Sequence, residues 1–340
     1  MFQKVKLTSL LLVIALMLTS CAGRAYGTPV PETTPEGTSI KAKVNWPGDR
    51  LSLNEEGIPQ IKVYVVDEQT TRTMDLETYV EGVLAGEMKN DWPLEALKAQ
   101  AILARTFVLK FIQEKESKYP DADISTDIEE AQAYAAADVN DRIRQAVAET
   151  RGMVLASNGE LPYAWFHAHS GGATDVAAIG LGWNDPEPAY TLCTQGNEPA
   201  SIPDGADAQT LREAQNWVAE FPLEALETAL SSLGIEATLS DSSTISIGER
   251  GDSGRAATIV VDGHEVDAAE LRIKLGSTKM RSTLLSTLTI RSGSVRMSGK
   301  GYGHGVGMSQ WGAYGMAQNG KTADEIVKHY FRNVTLEKLW

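Results

Sequence analysis

Near the C-terminus the chain reads Gly299-Lys-Gly-Tyr-Gly-His304-Gly-Val-Gly-Met-Ser309-Gln310-Trp311-Gly312, in which five glycines alternate with larger residues from Gly299 to Gly307. Alternating glycine strips Cβ from one face of an extended segment, so a backbone or an extended ligand can approach closely. The larger residues, Tyr302, His304, Met308 and Trp311, are not those of a flexible linker. The run does not read as a phosphate loop, because no Gly-Lys-Ser/Thr end follows it and no strand-loop-helix unit with a downstream acid surrounds it. A segment of this kind must be fitted against something.

The N-terminus reads as an export signal. Lys4 and Lys6 precede an apolar stretch, Leu7 to Leu18, too short for the roughly 20 residues that span a bilayer. Leu18-Thr-Ser-Cys21 has the pattern of a lipoprotein cleavage site, which makes residues 1–20 a signal peptide and Cys21 a lipidation site. Residues 21–48 are rich in Gly, Thr and Pro and lack apolar periodicity, so they read as a flexible tether. Fully stretched, such a segment reaches about 90 Å at most. Residues 49–340 are left for the folded part, with 203–290 expected as a second lobe or insertion. The expected fold is α+β, with helices and short antiparallel sheets in two lobes around a central cleft.

The charge balance, 31 basic against 45 acidic residues, gives a net charge of −14. That disfavours nucleic acid and electrostatic docking on acidic polymers. Besides Cys21 the only cysteine is Cys193, so a cysteine-rich zinc motif is not possible.

Asp75 opens a helical pattern on which Leu76, Tyr79, Val80, Val83 and Leu84 form one apolar stripe. Glu77 and Glu81 lie off the stripe and are expected in water. Glu87 lies on it, and Ala85 and Gly86 beside it leave room for a ligand. A desolvated carboxyl holds its proton to higher pH, as a general acid requires. The alternative is a buried ion pair with a residue such as Arg105. A second helix is expected from Asp91 through Ile112, carrying Gln100 and Arg105 among apolar residues, and a third from Asn140 to Thr150. Asn158-Gly159 between two apolar runs predicts a hairpin from Met153 to Phe166. His167 and His169 then share one strand face, a spacing that can bind metal, but a zinc site needs a third ligand, and only Cys193, His304 or scattered carboxylates offer one. Ser170 lacks the Gly-x-Ser-x-Gly setting of a nucleophile. Pro222–Leu233 and Met308–Gln318 are expected as helices, and Thr322-x-x-Glu325 is a capping box opening a last one.

Three blocks together carry a resemblance. They are Leu76-Glu-Thr-Tyr-Val-Glu-Gly-Val-Leu-Ala-Gly-Glu-Met with Trp92 to Ala101 and Ala104-Arg-Thr; Phe166-His-Ala-His-Ser-Gly-Gly with Thr174-Asp175; and Gly301 to Ala313 with His329-Tyr-Phe. In these the chain resembles the stage II sporulation protein D (SpoIID/LytB) family. The resemblance implies a lytic transglycosylase that cuts peptidoglycan glycan strands between N-acetylmuramic acid and N-acetylglucosamine and leaves 1,6-anhydro ends. It maps the catalytic acid onto Glu87, and a single acid suffices for that chemistry. The substrate-binding set expected around it is Gln100, Arg105, His167, Ser170, Gly171, Tyr302, His304, Ser309, Gln310 and Trp311. Neither cofactor nor metal is expected, because the Cys pair that goes with zinc in some members is absent. The LytB branch implies the alternative, a glycan-binding enhancer of a cell-wall amidase without turnover of its own. The chain departs from the family pattern at His169, where Ser or Thr is usual, and at Asp175, where Glu is usual.

Overall fold

The structure, a computed structural model, describes residues 44–202 and 206–340. The signal peptide, Cys21 and all but the last residues of the expected tether lie outside the described residues. Those last residues are packed: Val44 is buried, Asn45 bridges to Glu160, and Trp46 lies 5.8 Å from the Trp340 ring. Among the described residues no helix is long and apolar enough to cross a membrane.

The fold is α+β. Its helices in chain order are α1 (Leu76–Glu87), α2 (Leu94–Glu114), α3 (Asp141–Glu149), α4 (Ala177–Leu181), α5 (Ala206–Gln215), α6 (Leu223–Ser231), α7 (Ala268–Leu275), α8 (Gln310–Gln318) and α9 (Ala323–Tyr330). The capping box at Thr322 forms in both directions, and Asn140 caps α3 through its side chain. The second helix begins later than expected, because Pro93 takes the cap position. At 21 residues, α2 is about 31 Å long. Its Leu97, Ile102 and Leu103 are fully buried, and Ala96, Ala99, Ala101 and Ala104 keep its surface low where α1, α3, α8 and α9 pack on it. A sheet of Ser52–Leu53, Pro59–Val65 and Thr70–Asp75 leads straight into α1, with Ile124–Ser125 added in parallel on Pro59–Val65.

A second hydrophobic core gathers Trp217, Phe221, Leu226, Ile259, Leu271 and Met297. The strands over it are Trp217–Pro222, Ser294–Gly299 and Leu285–Arg291 in one sheet and Ile245–Ile247, Thr258–Val261 and His264–Asp267 in another. Trp217–Pro222 alternates buried and exposed along its whole length, as a strand covered on one face should.

The hairpin expected after Met153 does not form. The Asn158-Gly159 turn is present, with both residues at positive φ and Ser157 bridged to Glu160. Beyond it the chain pairs elsewhere. Met153–Ala156 takes Thr335–Lys338 as its antiparallel partner, and Phe166–His167 pairs in parallel with Met308–Ser309. Partners distant in sequence win because they bring the C-terminal third onto the core.

Candidate active site around Glu87

The glycine run is the seam that joins the second core to the first. It leaves strand Ser294–Gly299 and then follows the 166–175 segment closely. His169 and Tyr302 exchange backbone hydrogen bonds at 3.0 and 2.7 Å, and Asp175 N–H donates to Gly305 O at 2.8 Å. Gly305 (φ +81°) and Gly307 (φ +68°) are left-handed, and a Cβ at either would strike the Arg255 guanidinium or the Trp165 carbonyl. What approaches the glycines here is therefore the protein's own backbone and Arg255. The run ends in Met308–Ser309, and Ser309 caps α8 by accepting Gly312 N–H. That places Gln310, the first residue of α8, against Glu87.

Glu87 is the last residue of α1 and only 9% exposed. Ala133 N–H donates to its Oε1 at 2.7 Å. Gln310 Nε2 donates to its backbone carbonyl at 3.2 Å and reaches Oε2 at 3.5 Å. Burial lifts its carboxyl from the ordinary 4.5 to about 7, against the opposing pull of those two hydrogen bonds. The negative end of the α1 dipole acts in the same direction as burial. At neutral pH such a group is about half protonated. Tyr79, on the same helix, feels both Glu130 and Glu87, and burial holds its phenol well above the ordinary range.

Arg105 is not its partner. The guanidinium binds Glu77 through Nε (3.2 Å) and Nη2 (2.5 Å) and donates to Met153 O at 2.9 Å. Glu77 and Glu87 stand at opposite ends of α1, about 15 Å apart along its axis. Glu77, expected in water, is buried, and it also accepts Gly152 N–H and Trp340 Nε1–H, both at 3.0 Å. Arg105 is thus built into a structural hub rather than held toward a substrate. The room expected beside Gly86 is also taken. The 131–135 segment lies there, and a Cβ on Gly86 would come within 2.6 Å of the Ala133 backbone.

Trp311 is a core residue, 1% exposed, with its ring 4.5 Å from Trp92 and 5.4 Å from Tyr314. Its neighbour Tyr314 keeps some exposure and lines a cavity of about 280 Å³ with Asp91, Trp92, Pro93, Arg142 and Gln318. Tyr302 is buried under Arg281, whose guanidinium carbon is 4.9 Å from the ring centre.

His304 and His167 are neutral pins. His304 Nε2 donates to Phe166 O at 2.7 Å, Val306 N–H donates to its Nδ1 at 3.0 Å, and burial drops its pKa to about 3. His167 donates from Nδ1 to Val306 O at 3.1 Å, and burial, then the neighbouring His304 and Arg255, holds it well below its ordinary value. Ser170 is wholly buried. Its N–H donates to Glu198 Oε1 at 2.6 Å, its carbonyl accepts from Arg255 Nη2, and its hydroxyl accepts Gly172 N–H at 3.1 Å. Gly171, at φ +81°, packs on Leu284 and the Gly301 backbone. Gln100 is fully buried, as is Gln132 next to Ala133, and neither side-chain amide has a hydrogen-bond partner among the described residues. Among the described residues no three His, Cys, Asp or Glu converge as metal ligands.

Sequence reasoning missed Gln132, Glu198 and Arg255. Each lies outside any periodic or motif-bearing stretch, and only tertiary contact reveals it.

The family model for stage II sporulation protein matches residues 65–156, the segment that carries α1, α2 and Glu87. A domain of unknown function (DUF8618) matches residues 201–307, which include the second core. Against the stage II sporulation protein D of Bacillus amyloliquefaciens the chain is 30% identical over 305 residues, covering 86% of this chain and 82% of that protein. The chain belongs to the stage II sporulation protein D family. It is also similar to an uncharacterized protein of Brachyspira hyodysenteriae, 35% identical over 265 residues, covering 77% of this chain and 67% of that one. The amidase enhancer of Bacillus subtilis is 30% identical over 299 residues, 76% of this chain but only 40% of the enhancer.

Proposed function

We propose that this protein is a lytic transglycosylase acting on peptidoglycan glycan strands, with Glu87 as its general acid and base. The observation that carries the reading is a carboxyl at the end of α1, buried, poised near pH 7, and gripped by Ala133 N–H and Gln310. In its protonated form Glu87 gives a proton to the glycosidic oxygen as the bond to C1 of N-acetylmuramic acid breaks. As carboxylate it then takes the proton of the same sugar's 6-hydroxyl as that oxygen bonds to C1. The anhydro ring closes, and Glu87 ends as it began, protonated. No water is consumed, so the second carboxylate that a hydrolase needs at a set separation is not required. Glu198 is buried too, but its Oε1 is engaged by Ser170 N–H and the Ser309 hydroxyl. A lipid on Cys21, outside the described residues, would hold this activity on the outer face of the cytoplasmic membrane.

The similarity to an amidase enhancer supports a second reading, in which the same fold binds glycan and stimulates a partner amidase without cleaving. Digestion of purified glycan strands, with mass spectrometry of the ends, separates the two. Anhydro-muramic ends are expected. No product on any strand, with amidase stimulation intact in both wild type and Glu87→Gln, would make the enhancer reading the correct one.

A further inference from the structure

The N-terminus of α8 rests on a second buried carboxylate that the proposed reaction does not use. Glu198, whose side chain is 6% exposed, accepts the Ser309 hydroxyl at 2.8 Å and Ser170 N–H at 2.6 Å on the same oxygen. Ser309 in turn accepts Gly312 N–H at 3.2 Å and so begins the helix. The segment bearing Glu198 is itself fixed. Gly196 N–H donates to Gly172 O at 2.9 Å, Tyr330 Oη donates to Gly196 O, and Gly312 lacks the Cβ that would push that carbonyl off α8. An N-cap serine needs no buried anion, because its capping bond is one it accepts. Burying a carboxylate is costly unless its partners recover the lost hydration. Here those partners are the Ser170 N–H and the Ser309 hydroxyl at the cap, with the His169 ring, whose Nδ1 lies 3.8 Å from Oε1, and the Arg255 guanidinium facing the same carboxylate. The residue after that cap is Gln310, whose amide holds both the end of α1 and the carboxyl of Glu87.

We propose that Glu198 is a positioning residue for Glu87, acting through Ser309 to hold the Gln310 amide against it. The inference rests on the reading of Glu87 as the acid. Its physical content, a coupling between two buried carboxylates through one helix start, can be measured whether or not strands are cleaved.

The test follows the Glu87 titration by ¹³C NMR in the full chain labelled at glutamate side-chain carboxyls, with Glu87→Gln identifying the resonance. Gln310 stabilises the carboxylate, so losing its grip must raise the Glu87 midpoint. Removing a nearby negative charge acts with the opposite sign and lowers it. Glu198→Ala and Gln310→Ala are each expected to raise the midpoint, and the double variant to raise it no further than Gln310→Ala alone. Glu198→Gln keeps an acceptor oxygen for Ser309 and should recover most of the wild-type titration. In strand cleavage Glu198→Ala should lower kcat by up to about 10²-fold with KM little changed, the signature of a displaced acid. An unmoved midpoint in folded Glu198→Ala, a lowered one, or additive shifts in the double variant would overturn the proposal. Should Glu198→Ala not fold, Ser309→Ala removes the same link, and an unmoved midpoint there has the same force. If the wild type yields no anhydro ends, the reading of Glu87 as the acid fails, and the titrations still decide the coupling.

Discussion

Protonation of Glu87 serves catalysis and folding alike, and its titration should report both. Catalysis needs it protonated at the start, so cleavage should decline as pH rises through about 7. Folding depends on it with the same sign. Its carboxyl is raised from 4.5 to about 7, so between those values the folded protein binds more protons than the unfolded chain, and stability falls as pH rises. Glu87→Gln removes that loss. Its melting temperature should exceed the wild-type value at pH 8 and match it near pH 4, and a melting series across pH checks both ends. His304 has the reverse sign. Its folded pKa lies near 3, below the ordinary 6.5, so it contributes stability above about 6.5 that is lost as pH falls toward 3. Glu87 was readable from sequence because its burial follows from spacing within one helix, three and four residues after Leu84 and Val83. Glu77 was misread for the same reason. Its burial comes from Arg105 on another helix, and a one-helix stripe carries no information about a neighbour's guanidinium.

At the scale of elements, the glycine run is a packing device with a defined partner. Gly305 is left-handed and lies against the Arg255 guanidinium, so a methyl group there meets both backbone strain and a buried charge. Gly305→Ala should destabilise by about 1–3 kcal/mol from the backbone alone, with more from displacing Arg255. Arg255→Ala should also destabilise, because it leaves Ser170 O without its donor. The two residues share one contact, so the double variant should lose less than the two single losses added together. Denaturant unfolding of the four proteins measures this directly, and strict additivity would mean that the two positions act independently. Local signals were sound where the cause was local, as at the Thr322 capping box, the Asn140 cap and the Asn158-Gly159 turn. The strands on either side of that turn do not pair with each other because their partners, 335–338 for Met153–Ala156 and 308–309 for Phe166–His167, are more than 140 residues away, and turn chemistry does not encode that pairing.

At the scale of the molecule, α2 ties the arrangement together. One part of it carries Arg105 into the hub of Glu77, Gly152 and the C-terminal Trp340, and the helix packs on α8, which delivers Gln310 to Glu87. Arg105→Ala leaves the Glu77 carboxylate buried without its cation, and should cost about 3–5 kcal/mol in unfolding experiments. A loss under about 1 kcal/mol would mean the hub is not structural. The α+β class, the helix bearing Glu87 and the family were readable in the chain. The burial of Trp311, the filling of the space beside Gly86 and the place of Glu198 were not, since each is decided by which distant segment arrives there. The central claim is that the glycosidic bond breaks through proton cycling at Glu87. Its most direct test is the rate at which wild type and Glu87→Gln form anhydro-muramic ends on matched glycan strands, with strand binding measured alongside. The expected result is a loss of about 10²- to 10⁴-fold in Glu87→Gln, with binding and folding intact. Equal rates in the two proteins would contradict it.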